Sequence, residues 1–228
     1  MSDDEEILDV LDDAGNVTGQ KPRCLVHRDH DRHGLVFVWS AWKLDGRSVM
    51  LLQRRARSGD PFAAHADALA GGHITAGETA LDAAQRELME EVGVTADAEQ
   101  FVMLGSSHMD RPTRRCRRIV QYLLLYPIPL DLMKLEFSAE VDGFYEVDLK
   151  DFAALVLGKR ASIAARARLA GRDDVHDIEL PRSAVSDYPD AILDTFRRSL
   201  ASIIGWLEDG QVDPAHFSGD SSTTSGSQ

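Results

Sequence analysis

The sequence predicts an α/β fold, in which a sheet is followed by a mainly helical C-terminal extension. Between residues 34 and 147, runs of β-branched and aromatic residues have the length and spacing of strands. One segment among them, from about Ala80 to Val92, has the periodicity of an amphipathic helix. From about Asp151 onward, alanine, leucine and arginine recur at helical spacing. Strands that enclose one helix and precede others favour the α/β class.

Two hairpins are predicted in the first quarter of the chain. Residues 7–11 are rich in aliphatic side chains and lead into a turn cluster at 12–16, Asp-Asp-Ala-Gly-Asn. The apolar run at 34–42 is followed by Asp-Gly-Arg at 45–47 and by another apolar run at 49–52. This spacing is typical of two antiparallel strands joined by a short turn.

Further strands and a long helix are predicted downstream. Residues 101–104 and 119–126 form apolar runs, and the second is nearly continuous, as in a sheet that is covered on both faces. Residues 144–147 are a third strand candidate. A helical pattern from about Asp190 to Leu207 follows Pro189, a residue typical of helix starts.

These patterns divide the chain into three predicted parts. Residues 1–152 form the main domain, residues 153–210 a helical extension packed on it, and residues 211–228 a disordered tail. The tail prediction depends on the serine- and glycine-rich sequence from Ser218, which has no apolar residue to bury. The C-terminal helices fit a dimerisation element, which would make a homodimer, and fit a lid over a site equally well.

Charge and hydropathy limit the function classes. The 38 acidic and 25 basic residues give a net charge of −13, which argues against a nucleic acid polymer as partner, because phosphate neutralisation dominates such binding. No run of about 18 apolar residues occurs and the N-terminus is acidic, so we expect neither a membrane span nor an export signal. We therefore expect a cytoplasmic protein, in which an anionic substrate needs a positive pocket or a bound metal ion.

The segment from Gly72 to Val94 places a cluster of glutamates on the first predicted helix. Thr79 is positioned to cap this helix with Asp82 as its capping-box partner, and Gly93 lies where a left-handed C-terminal residue belongs. In an α-helix each residue is rotated by about 100° from the one before it. With that rotation, one face of the predicted helix is apolar and an adjacent arc carries three carboxylates. The apolar face consists of Leu81, Ala84, Leu88 and Val92, and the arc of Glu87, Glu90 and Glu91.

Carboxylates so close together repel one another. The repulsion raises their pKa values and costs stability unless a cation lies among them. Hard oxygen ligands are what Mg²⁺ or Mn²⁺ prefers. In an acidic protein the same arc can instead be a solvated helix face, and the surrounding residues decide between the two interpretations.

The whole segment is similar to the sequence box of the Nudix hydrolase family. The box consists of glycine, five residues, Glu, seven residues, Arg-Glu, an apolar residue, any residue, Glu-Glu, any residue, glycine and an apolar residue. A chance match in a chain of this length has a probability on the order of one in ten million at average residue usage. The matching positions are Gly72, Glu78, Arg86, Glu87, Leu88, Glu90, Glu91, Gly93 and Val94.

This resemblance implies a Nudix α/β/α sandwich with a mixed sheet, in which the box forms a loop, a helix and a second loop. It implies that Glu87, Glu90 and Glu91 bind a divalent metal ion, Mg²⁺ or alternatively Mn²⁺. Arg86 would orient these glutamates and Glu78 would support them, so we assign Glu90, Arg86 and Glu78 to catalysis. The expected reaction is hydrolysis of the P–O–P bond of a small-molecule diphosphate, such as a nucleoside diphosphate derivative, by a metal-activated water.

Outside the box, residues 51–55 and the run Ala70-Gly71-Gly72-His73 are similar to the Nudix branch that includes isopentenyl-diphosphate isomerase. In that isomerase the residue two before the histidine is a catalytic cysteine, and the box is degenerate. Here that residue is Gly71 and the box is complete. Both differences argue against isomerase activity.

Three further positions are candidates for the site. Nudix hydrolases often take a general base or an extra metal ligand from a later glutamate, and of Glu136 and Glu140 we select Glu140. On an alternating strand only one of Arg54 and Arg55 can face the site, and we select Arg54 for substrate binding. An arginine cluster that includes Arg114 can bind phosphate, although ion pairing with the acidic surface explains it equally well. Its members are Arg111, Arg114, Arg115, Arg117 and Arg118.

Two other interpretations concern binding rather than catalysis. A Nudix-fold module that binds a nucleotide without cleaving it is the alternative to an enzyme. The intact box argues against it, since a pure binder has no need for four glutamates. Several histidines lack the spacing of zinc ligands with cysteine partners, and we assign no metal to them. They are His27, His30, His33 and His65.

Overall fold

The computed structural model describes residues 6–56, 62–110 and 118–217. Its strands are β1 (Ile7–Leu11), β2 (Val17–Pro22), β3 (His33–Leu44), β4 (Arg47–Arg55), β5 (Ala66–Asp67), β6 (Ala70–His73), β7 (Val102–Met109), β8 (Ile119–Tyr126), β9 (Val141–Asp148), β10 (Ser162–Leu169) and β11 (His176–Pro181). Its α-helices are α1 (Arg23–Asp29), α2 (Ala80–Val92), α3 (Leu149–Val156), α4 (Ser183–Ser186) and α5 (Asp190–Asp209). Both predicted hairpins, the run at 119–126 and the box helix therefore lie where the sequence places them.

Within the described residues, nine strands form one mixed sheet. Its order is β11-β10-β9-β4-β3-β8-β7, with β5 paired to β4 and β6 to β3. The β3–β8 pair is parallel, whereas β3 pairs antiparallel with both β4 and β6. Strands β3 and β4 are apolar over most of their length because they lie at the centre of the sheet and are covered on both faces. The β1–β2 hairpin forms a separate two-stranded sheet.

Each face of the main sheet carries its own hydrophobic core. Helix α2 contributes to one core, and helices α3 and α5 contribute to the other. Successive residues of β3 alternate between them: Val38 packs on the α2 side and Trp39 on the α5 side. There the Trp39 ring meets Phe196 edge-on, with 5.0 Å between the ring centroids. The expected α/β/α sandwich with a mixed sheet is therefore confirmed.

The C-terminal region is less helical than the sequence predicts. Residues 162–169 and 176–181 form the β10–β11 hairpin, which extends the main sheet beyond β9. Alanine and arginine favour helices, but Ile163, Ala165 and Ala167 are buried at every second position, which is the period of a strand. Pairing with β9 decides the structure here, because tertiary contacts override weak local propensity.

The predicted boundary at residue 152 lies inside α3 and does not separate two structural units. Phe152 and Leu155 of this helix share a buried cluster with Met50 of β4 and Ile203 of α5. The region after residue 152 is therefore built into the core of the main domain. The physical reason is that the sheet needs cover on its second face, and α3, α4 and α5, which lie wholly or mostly after residue 152, contribute the helical residues of that core.

Part of the predicted tail is ordered. Residues 211–217 include a 3₁₀ turn at Pro214–His216 and the buried ring of Phe217, which packs beside Gly105 of β7. The remainder of the predicted disordered tail, from residue 218, lies outside the described residues. Among the helices of the described ranges, none is both long enough and apolar enough to cross a membrane.

Candidate active site

Helix α2 begins and ends at the residues that the sequence predicts. The Thr79 hydroxyl accepts a hydrogen bond from the Asp82 N–H at 3.2 Å, and the Asp82 carboxylate accepts one from the Thr79 N–H at 2.9 Å, which completes the capping box. At the other end, Gly93 has φ 74° and its N–H donates to the Leu88 carbonyl. These two caps fix which residues of the helix face the sheet.

The three box glutamates, Glu87, Glu90 and Glu91, lie in the last two turns of α2. Glu87 and Glu91 are only 8% and 6% exposed, whereas Glu90 is exposed. The last turn of α2 contains no basic residue, and the helix dipole places partial negative charge at this end. Three carboxylates here cost free energy that a bound cation would offset.

Arg86 connects the box glutamates to the loop before the helix. Its guanidinium donates to both carboxylate oxygens of Glu78, at 2.8 and 3.0 Å. It also donates to Glu87 Oε1 at 2.8 Å, to Glu90 Oε2 at 3.2 Å and to the His73 carbonyl at 2.9 Å. Hydrogen bonding to Glu78, above all, raises the pKa of Arg86, so this side chain is a permanent cation among the acids.

Glu91 is held from the side of the sheet. Its Oε2 accepts hydrogen bonds from Gln53 Nε2 at 3.2 Å and from the Gly71 N–H at 3.1 Å. Gln53 is 4% exposed and belongs to β4, so it is a buried polar residue that needs a partner. Sequence reasoning missed Gln53. The signal that could have found it is a single amide inside an otherwise apolar central strand.

Close backbone approach explains the two glycines of β6. A Cβ added to Gly72 would lie 2.0 Å from Glu87 Oε1, far inside any real contact. A Cβ added to Gly71 would lie 2.8 Å from the Val36 carbonyl oxygen. Any side chain at Gly72 would therefore displace Glu87, so the box glycine is required for the position of a box glutamate.

The carboxyl groups of the site have pKa values shifted in opposite directions. Burial, and then the charges of Glu87 and Glu140, raise the pKa of Glu91 well above its usual value. Burial also raises the pKa of Glu87, against the opposing charge of Arg86. For Glu78, burial opposes ionisation, but hydrogen bonds that include those from Arg86 lower its pKa overall. Such divergent shifts within one cluster are typical of functional sites.

Glu140 lies within electrostatic reach of α2. Its charge contributes to the raised pKa values of both Glu87 and Glu91. Its side chain is exposed, and its backbone carbonyl accepts a hydrogen bond from the Ala56 N–H at 2.8 Å, which ties this loop to the end of β4. Glu136 instead packs beside the helix C-terminus. The charge of Glu140 thus acts on both buried glutamates, and its role as a base stays a prediction.

Arg54, which we selected for substrate binding, faces the other side of the sheet. Successive residues of β4 point to opposite faces. Arg54 donates to Asp142 Oδ1 at 2.6 Å, and its charge acts on Tyr145, a residue of the core formed with α3 and α5. Arg55 is the arginine whose charge acts on Glu91. The structure therefore does not bring Arg54 to the box glutamates, and Arg55 is itself paired with Asp67 Oδ2 at 2.8 Å, so substrate binding by either arginine stays a prediction.

The arginine cluster is only partly described. Arg114 lies outside the described residues, as do Arg111, Arg115 and Arg117. Arg118 is described, and its guanidinium pairs with Asp13 and with Asp110 Oδ1, the latter at 3.9 Å. For Arg118 the structure favours the ion-pairing interpretation. Phosphate binding by Arg114 stays a prediction.

Comparison with known proteins gives relatives of this domain. Nudix hydrolase 3 of Arabidopsis thaliana is 39% identical over 146 residues, which are 59% of this chain and 19% of that protein. An isopentenyl-diphosphate Delta-isomerase of Cutibacterium acnes is 33% identical over 97 residues, which are 42% of this chain and 48% of the isomerase. This chain therefore spans less than half the length of either curated relative.

A solved structure and a family model complete the comparison. The structure of DR0079 from Deinococcus radiodurans aligns with a TM-score of 0.49 and 23% identity, and covers 67% of this chain and 90% of that one. The family model described as the NUDIX domain matches residues 31–166. That range is more than half of the 228 residues and contains β3, α2 and every residue of the box. This chain therefore belongs to the NUDIX domain family.

Proposed function

We propose that this protein hydrolyses a diphosphate linkage in a nucleoside diphosphate derivative or a related small organic diphosphate. The observation that carries this proposal is the pair of buried acids, Glu87 and Glu91, fixed on α2 beside Arg86. Two buried glutamates bound to an arginine and to Gln53 are not a solvated helix face. Such an arrangement costs stability and is retained where charge is needed for chemistry.

The donor set fits a hard divalent cation. Glu87 and Glu91 have raised pKa values because they are buried and repel other acids, and a cation among them would relieve both effects. Glu90 adds a third carboxylate, and oxygen donors of this kind suit Mg²⁺, with Mn²⁺ as the alternative. When bound, the metal would activate a water molecule and stabilise charge on the diphosphate.

The chain itself would supply positioning and proton transfer. Arg86 holds Glu78, Glu87 and Glu90 in place before substrate arrives, so little reorganisation is needed during reaction. Glu140 is an exposed acid near this group and would accept the proton of the attacking water. Arg55, whose charge acts on Glu91 and which pairs with Asp67 Oδ2 at 2.8 Å, would donate to phosphate oxygens in place of that partner.

The test is turnover of a panel of diphosphate compounds with Mg²⁺, read as release of phosphate or of a nucleoside monophosphate. We expect hydrolysis of at least one compound, reduced by at least about a hundredfold in Glu90→Gln and in Glu91→Gln, because each loses a charge that holds the metal. Glu99→Gln, at an exposed glutamate outside the site, is the matched control and should retain activity. Equal turnover in all four proteins would contradict the proposal.

Two alternatives predict different results. A nucleotide-binding module would bind compounds of the panel without cleaving any of them. Isomerase activity is suggested by similarity to the Cutibacterium acnes isomerase. Against it, Gly71 stands where the isomerase branch has its catalytic cysteine, and an added Cβ at Gly71 would lie 2.8 Å from the Val36 carbonyl oxygen. Conversion of isopentenyl diphosphate to its isomer would favour the isomerase.

A further inference from the structure

The loop between β8 and β9 carries Glu140 to the site. In the described structure, residues 127–140 contain neither a strand nor an α-helix. The backbone groups of such a loop need hydrogen-bond partners, and long loops without secondary structure of their own are often functional. We call residues 131–140 the Glu140 loop. The contacts that hold this loop determine where the carboxylate of Glu140 lies.

Arg168 of β10 holds the Glu140 loop at three points. Its Nη1 donates hydrogen bonds to the carbonyl oxygen of Leu135 and, at 3.3 Å, to that of Leu132. Its guanidinium carbon lies 4.6 Å from the centroid of the Phe137 ring, as in a cation–π contact. The Phe137 ring in turn stacks on Phe144 of β9, with 5.4 Å between the ring centroids. One side chain therefore contacts both backbone and side-chain groups of the loop.

Two further hydrogen bonds join the Glu140 loop to the site. The Glu136 N–H donates to the carbonyl oxygen of Val92, the last residue of α2, at 2.9 Å. The Ala56 N–H, just after the end of β4, donates to the Glu140 carbonyl oxygen at 2.8 Å. These two bonds attach the loop to the box helix and to the central sheet. Arg168 attaches the same loop to β10.

The contacts of Arg168 differ from those of Arg166, two residues earlier on the same face of β10. Arg166 is exposed and donates to Glu146 Oε1 at 2.8 Å, which is an ordinary surface ion pair. Arg168 instead directs its charge at two backbone carbonyls and a ring, and its Nε is buried without a hydrogen-bond partner among the described residues. A buried unpaired donor costs free energy. Arg168 is therefore not a solvated surface charge, and its contacts are those of a support for the loop.

We propose that Arg168 is a positioning residue for the hydrolysis proposed above, and this inference rests on that function. By holding the Glu140 loop, Arg168 keeps the Glu140 carboxylate close enough for its charge to act on Glu87 and Glu91. In the reaction, the oxygen of the attacking water bonds to phosphorus, its proton passes to Glu140, and the bridging P–O bond breaks toward the leaving phosphate. Loss of Arg168 should slow this step without removing a group that binds substrate.

The sequence did not indicate this role. Arg168 is far from Glu140 along the chain, and only the pairing of β10 with β9, in which Arg168 lies opposite Phe144, brings the two regions together. Arg168 also lies beyond residues 31–166, the range that the family model matches.

The experiment is a double-mutant cycle on the full chain with Mg²⁺ and a compound of the panel that the protein hydrolyses. We expect Arg168→Met to lower kcat at least about tenfold, a part of the roughly 10²–10⁴-fold that general-base catalysis supplies, with KM changed less than about twofold. In a chain with Glu140→Gln, the same substitution should change kcat less than about twofold, because the group that Arg168 positions is already lost. Guanidinium ion added to Arg168→Met should restore part of kcat. Arg166→Met is the matched control and should leave kcat unchanged.

A second measurement does not depend on hydrolysis. Amide hydrogen exchange at Glu136 and Ala56 reports the two bonds that attach the Glu140 loop to the site. We expect faster exchange at both amides in Arg168→Met than in Arg166→Met. Circular dichroism checks that both variants fold. If Arg168→Met does not fold, Arg168→Lys, which keeps the charge but not the guanidinium, takes its place in both measurements.

The outcomes separate this proposal from the proposed function. Unchanged amide exchange in the folded Arg168 variant would overturn the proposal. An equal loss of kcat from Arg168→Met with and without Glu140→Gln would also overturn it, because Arg168 would then act only on the fold. Absence of hydrolysis of every compound by the parent chain would instead contradict the proposed function, and amide exchange would then still decide whether Arg168 holds the Glu140 loop.

Discussion

Glu91 shows how one residue can serve the site at the expense of the fold. Because it is buried, its carboxyl group binds a proton more tightly in the folded state than in the unfolded chain, where the pKa is near 4.5. Its contribution to stability is therefore fully present below pH 4.5 and is lost as the pH rises through the raised folded-state pKa. Above that pKa and without metal, the ionised carboxylate of Glu91 opposes folding.

We expect Glu91→Gln to stabilise the metal-free protein. Glutamine keeps the shape and an acceptor for Gln53 but removes the buried charge, so the variant should gain more free energy of unfolding at about pH 8 than the ~0.5 kcal/mol typical of surface changes. The gain should shrink toward pH 4.5, where glutamate is protonated. Urea unfolding in EDTA at several pH values measures it, with Glu99→Gln as control. Equal stability of variant and parent at pH 8 would contradict the expectation.

At the residue scale, the sequence could predict the position of a site residue only where its partners lie close to it along the chain. The positions of Glu78, Arg86 and Glu87 follow from spacing within one loop and one helix. The role of Gln53 and the position of Arg54 depend on which face of β4 packs against α2. That information requires the strand register of the whole sheet, which no local pattern contains.

At the scale of the element, the caps of α2 hold the box in register. The hydroxyl of Thr79 and the carboxylate of Asp82 satisfy two N–H groups that the helix leaves unpaired. We expect Thr79→Ala to lower the free energy of unfolding by about 1 kcal/mol, as for other N-cap losses. Thermal or urea unfolding measures the change. The control is Thr95→Ala, at an exposed threonine after the helix, which should change the free energy of unfolding by less than about 0.5 kcal/mol. An equal loss of stability in both variants would contradict the stabilising role of the Thr79 cap.

Elements differ in how far their own sequence determines them. Helix α2 was predictable to the residue because its caps and apolar stripe are local. The β10–β11 hairpin was not, since its alanine- and arginine-rich sequence fits a helix equally well and only pairing with β9 selects the strand. The buried alternation of Ile163, Ala165 and Ala167 is visible only after that pairing is known.

At the scale of the whole molecule, the two cores make the site depend on the far side of the sheet. Glu91 of α2 accepts a hydrogen bond from Gln53, which lies on β4. Strand β4 also contributes Met50 and Leu52 to the core on the other face of the sheet, which is formed with α5. A domain that ended at residue 152 would leave that second face uncovered. The C-terminal region therefore stabilises the sheet on which the site is built.

This view predicts that loss of packing on α5 destabilises the entire protein. Phe196 is 1% exposed and packs edge-on against Trp39, so Phe196→Ala should cost about 3–5 kcal/mol through lost burial and a cavity. Calorimetry should show one unfolding transition, shifted to lower temperature, because both cores share the sheet. Leu157→Ala, at a leucine that is 49% exposed, is the control and should have a much smaller effect. If the C-terminal region were an independent unit, Phe196→Ala would instead split the unfolding into two transitions and leave diphosphate hydrolysis intact above the first.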